Sequence, residues 1–65
     1  MTKKEIRTAV QEIKGTAHDP ERAHVREDKL YESFITYVAM RDDQLGEKAR
    51  LVLSVSEIEF ERWCA

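Results

Sequence analysis

One proline, two glycines and one cysteine are all that the chain has of the residues that punctuate or staple a small fold. So few turn formers argue against a many-stranded sandwich or barrel and for helices. Cys64 has no second cysteine to pair with, so no intramolecular disulfide forms and no cysteine cluster holds zinc. Stability has to come from packing or from a partner. Charge of one sign is also scarce: thirteen Asp and Glu against eleven Lys and Arg leave a net charge of -2. No overall field therefore draws the chain onto phosphate or an anionic membrane. Long apolar runs are missing as well. Met1 to Lys14 never has more than two consecutive apolar residues, unlike a secretory leader, and no stretch approaches the roughly 20 residues that span a bilayer. The chain reads as cytoplasmic and off the membrane.

Sixty-five residues make one domain with a small core, too small for a doubly wound nucleotide fold or a β/α barrel. Hydrophobic residues at 42% are too many for a disordered chain, and charged residues at 37% interrupt them too often for a membrane protein. The expectation is an all-α fold over residues 1–65, a small bundle of three to four helices with a long central one.

The helix boundaries follow from local chemistry. Thr2 and Glu5 form a capping box, with Met1 and Ile6 placed as a hydrophobic staple. Ile6, Ala9, Val10 and Ile13 then recur at helical spacing until Gly15. Asp19 as N-cap, Pro20 in the first helical position and Glu21 against the dipole open a second helix, expected to run to about Arg41. On it Leu30, Tyr31, Phe34, Tyr37 and Val38 form one apolar stripe with Ile35 at its edge. Asp42 and Asp43 mark a turn and a new N-cap before a third helix through Leu45, Ala49, Val52 and Leu53. Ile58 and Phe60 alternate with Glu57, Glu59 and Glu61 as in a strand. A lone strand would leave its backbone unpaired, however, and Ser54 with Glu57 offers another capping box, with Leu53 and Ile58 as its staple. The expectation there is a fourth helix.

The densest polar run is His18, Asp19, Glu21, His24, Glu27 and Asp28. Extending the stripe backwards at 100° per residue puts Glu27 near its middle, with His24 at the margin and Asp28 further round. A carboxylate facing a core has to be protonated, paired, metal-bound or placed at an open end. Three readings follow. In the structural one, Glu27 pairs with Arg62 beside Trp63 and fixes how the chain's end docks. In the metal one, His24, Glu27 and Asp28 bind a transition metal, closed by His18 or Asp19. The second helix with Glu-x-x-His ligands that a di-iron bundle needs is absent. In the third, the acidic cluster with Tyr31 meets a basic partner. Asp19, Glu21, His24, Glu27, Asp28, Arg62 and Trp63 are thus a structural polar cluster or an interaction site.

Enzymatic chemistry has little to stand on. No Ser sits in a Gly-rich elbow, Cys64 has no evident general base, and no cofactor is called for. Phe60 and Trp63 read as a core plug. The bases Lys3, Lys4, Arg7 and Lys14 give the first helix a local excess, and they support at most a weak DNA contact. A helix-turn-helix across Ser54 and Val55 is disfavoured, because Glu57, Glu59 and Glu61 would meet phosphate. The balance favours a non-enzymatic protein-binding module, with a homodimer as one way to bury more apolar surface.

The segment Asp19-Pro-Glu21-Arg-Ala23-His24-Val-Arg-Glu27-Asp28-Lys-Leu30, with Ile58-Glu-Phe60-Glu-Arg62-Trp63-Cys64-Ala65, resembles small uncharacterised proteins of bacteriophages and prophages. These look like Asp-x-Glu-x-Ala-His-x-x-Glu-Asp-x-Leu followed by Ile-x-Phe-x-Arg-Trp-Cys-Ala. The resemblance spans residue 19 onwards and leaves out the first helix. Pro20 departs from it, since the similar proteins often carry a second acid there. It implies a phage or prophage origin and the host bacterial cytoplasm, and brings no activity with it.

Overall fold

The computed structural model describes residues 1–61, which form three α-helices and a short 3-10 turn, with no strand among them. α1 is Lys3–Gly15, α2 Pro20–Ala39, α3 Gln44–Leu53, and the turn is Ser54–Glu57. α2, at 20 residues, is the long central helix.

Each α-helix starts on the residue whose side chain can satisfy its first amides. Thr2 Oγ1 accepts from the Glu5 amide at 3.1 Å, and its hydroxyl donates to Glu5 Oε1 at 3.2 Å. Asp19 Oδ1 accepts from the Arg22 amide at 3.3 Å with Pro20 first in the helix, and Asp43 Oδ1 accepts from the Gly46 amide at 3.0 Å. α2 stops at Ala39, two residues before the expected Arg41. The chain tightens there into bonds from the Met40 and Arg41 amides to the Tyr37 and Val38 carbonyls.

The fourth helix does not form among the described residues, and the Ser54–Glu57 capping box is corrected. An N-cap needs extended backbone, whereas Ser54 sits at φ -63, ψ -15, still helical. Its hydroxyl instead donates back to the Leu51 carbonyl at 2.6 Å and closes α3. Ile58 then turns to extended backbone and residues 58–61 carry no regular element. Arg62, Trp63, Cys64 and Ala65 lie outside the described residues, and so does the expected plug at Trp63.

α2 packs against α1 on one side and α3 on the other, while α1 makes no contact with α3. The molecule measures 39 × 34 × 9 Å, and the shortest extent is no more than one helix diameter. The helices therefore lie in a single layer. Among the described residues only Gly46 and Ala49 are buried, both where α3 meets the end of α2. The described helices enclose no common core.

That corner has the tightest packing in the fold. A Cβ on Gly46 would collide with the Arg41 carbonyl oxygen and lie 2.8 Å from the Arg41 carbonyl carbon, so the backbones touch where only glycine fits. Arg50 reaches back from α3 and donates to the Ala39 and Arg41 carbonyls at 2.6 and 3.1 Å, covering the exposed end of α2. The Arg41 guanidinium grips Asp43 through Nε at 3.0 Å and Nη2 at 2.6 Å. That hydrogen bond, helped by the Gly46 amide, holds the Asp43 carboxyl below its usual range and raises Arg41 in turn.

Three outcomes follow. Gly46→Ala should destabilise the fold by roughly 1–3 kcal/mol in denaturant unfolding, since α3 must move to admit a methyl group. Gly15→Ala, with nothing within 4 Å of its Cβ, should be neutral or slightly stabilising. Because the folded Asp43 value is depressed, its contribution is complete above the unfolded value of about 4 and is lost as pH falls through the lower folded value. Thermal melts of Asp43→Asn and the unaltered chain should therefore differ at neutral pH and converge in strong acid.

Candidate functional site

On α2 the side chains divide by helical angle. Phe34, Val38 and Tyr31 centre on one face, and Lys29, Glu32, Ser33 and Thr36 on the other. Because α1 and α3 flank α2 in one plane, neither face of α2 is covered. On the apolar side, a groove between α1 and α2 is lined by Ile6, Leu30, Tyr31, Phe34 and Ile35. A second groove, between α2 and α3, is lined by Phe34, Ile35, Val38, Leu45, Ala49 and Val52, with Lys48 at its side. Both expose only apolar surface, so Lys48 presents its methylene stem. Phe34 and Ile35 belong to both grooves, which makes one apolar surface across the layer. Tyr31 is 59% exposed, Phe34 48% and Val52 55%. The side carrying Lys29, Glu32, Ser33 and Thr36 exposes polar as well as apolar surface, unlike the two grooves.

Glu27 belongs to this apolar face, seven residues before Phe34, and is half-buried. Helical spacing sets it on the same side as Phe34, and that side of the layer is open. No hydrogen bond or ion pair joins Glu27 to another described residue. Its expected partner, Arg62, and neighbouring Trp63 lie outside the described residues.

His24, Glu27 and Asp28 do come together: one ligand atom from each lies within 4.8 Å of the others. Residues three and four apart share a helix face, which is the cause. His24 Nδ1 is shielded from solvent without a hydrogen-bond partner, and stands 3.8 Å from Asp28 Oδ2. That distance is within ion-pairing range for a protonated imidazole but too long for a hydrogen bond. Ligands of a tetrahedral ion with bonds of about 2.1 Å sit roughly 3.4 Å apart, so small rotamer changes would close the three onto a metal. His18, Asp19 and Glu21 do not join this group among the described residues, and Asp19 is already engaged as the α2 cap.

The bases of α1, Lys3, Lys4, Arg7 and Lys14, are all exposed. Lys4 shares a shallow depression with Glu5 and Glu12, which dilutes any field toward phosphate. No described helix is long and apolar enough to cross a membrane.

Sequence reasoning passed over three residues that shape the site. Gly46 and Arg50 set α3 beside α2, and Lys48 flanks the apolar face. A glycine one helical turn after an N-cap aspartate was the available signal for Gly46. Nothing local points to Arg50, whose targets are nine and eleven residues back.

No protein-family model, curated protein or solved structure matches the chain. The site's chemistry is read from its own residues.

Proposed function

We propose that the chain is a phage- or prophage-encoded, non-enzymatic module that acts in the host cytoplasm by binding a host or phage protein, with the apolar face across α2 as its docking surface. The carrying observation is the continuous surface from Ile6 through Phe34 to Val52 on a layer one helix thick. Monomeric proteins rarely leave such a patch to water, and half-exposed aromatics are the side chains that anchor protein interfaces. On this reading a closed bundle of three to four helices around α2 forms once another polypeptide supplies the missing layer. The phage origin and the compartment rest on the resemblance of residue 19 onwards to phage and prophage proteins. The grooves are open, which suits a polypeptide better than a small substrate.

A second reading has its own support in His24, Glu27 and Asp28: a transition-metal module, closed by a further ligand. The shielded, unpartnered His24 Nδ1 and the 4.8 Å grouping favour it. Elemental analysis of tag-free protein separates the two. Protein binding through the apolar face expects no stoichiometric metal. Zn, Mn or Fe at one per chain, lost in His24→Ala, would transfer the conclusion to the metal.

Phe34→Lys should abolish capture of the bound protein in cross-linking from bacterial lysate, while Thr36→Lys, on the polar side, should leave it intact. Helicity measured on both variants checks that the layer persists. Equal capture by the two would contradict docking through this face.

A further inference from the structure

We infer that the occupant of the apolar face is a second copy of this chain, stacked face to face about a twofold axis near Phe34 and Ile35. The inference rests on the docking reading above and names its partner.

Surface area is the first support. The chain exposes 5742 Å², whereas a compact monomer of 7.6 kDa exposes about 4,300 Å². The excess, roughly 1,400 Å² over the whole chain, leaves room for the ~800 Å² per partner that a standard interface covers. Shape gives the second. The radius of gyration is 13.7 Å, against about 11 Å for a compact chain of this length. A second layer stacked about 10 Å away raises it to only about 15 Å, near the ~14 Å of a compact body of two chains. One layer is too extended to be a globule, and two layers are close to one.

Self-complementarity supplies the third. Phe34 and Ile35 are common to both grooves. A twofold axis there, parallel to α2, sets the α1–α2 groove of one copy against the α2–α3 groove of the other, an isologous arrangement in which each groove is used once per copy.

Sedimentation equilibrium on the full chain should return twice the 7.6 kDa chain mass. Phe34→Lys should reduce this to one chain, and Thr36→Lys should leave it doubled. Because Phe34→Lys could also unfold the layer, the unaltered chain carries the decisive measurement. In a mixture of isotope-labelled and unlabelled chains, filtered NOEs should connect the Phe34 ring to Leu45 or Val52 methyls of the other copy. A monomer overturns the inference. If that monomer still captures a different protein in a Phe34-dependent manner, docking through the face survives without it. A dimer whose intermolecular NOEs fall on Ser33 and Thr36 overturns the inference and the docking surface together.

Discussion

The approach of Gly46 to the Arg41 carbonyl is the constraint on which the described structure depends. Without a side chain at that position, α3 lies flush against the end of α2, where Ala49 is also buried and where Arg50 covers the last α2 carbonyls. α1 reaches α2 from the opposite side and never meets α3. The result is a plane of helices. A bundle would wrap α1 and α3 around the same face of α2, and here they occupy opposite flanks.

Planarity leaves the apolar stripe of an ordinary amphipathic helix open on one side of the layer. The stripe of Leu30, Tyr31, Phe34 and Val38 is what a core-facing helix would carry, yet the layer half-covers Leu30 and Val38 and leaves Tyr31 and Phe34 exposed. Burial of apolar surface is the main favourable term in folding, and a layer that leaves so much of it exposed has little margin against the conformational entropy of ordering the chain. A second layer corrects this deficit with the residues already present. The polar cluster at the head of α2 then sits at the rim of the covered region, where a carboxylate such as Glu27 can remain partly hydrated.

Local chemistry was legible in the sequence, and global arrangement was not. Thr2, Asp19 and Asp43 cap the three helices because a cap depends only on residues within one turn. The co-location of His24, Glu27 and Asp28 followed from spacing along a single helix for the same reason. Among the described residues the fourth helix does not start at Ser54, which has helical backbone: a Ser-x-x-Glu pattern can start a helix, but a hydroxyl in an unbroken helix bonds backwards. Glu27 shares the stripe by helical spacing alone, whereas a closed interior over the stripe requires that the neighbours fold over it. That depends on contacts such as Arg50 to Ala39, eleven residues apart, which no periodicity encodes.

Thermal unfolding as a function of chain concentration tests the central claim most directly, because it asks whether this layer holds its fold alone. If folding and association are one event, the melting temperature should climb steadily as the chain is concentrated, by mass action. A single sharp transition at the same temperature across a wide range of concentration would show that one layer is sufficient, and would contradict the account.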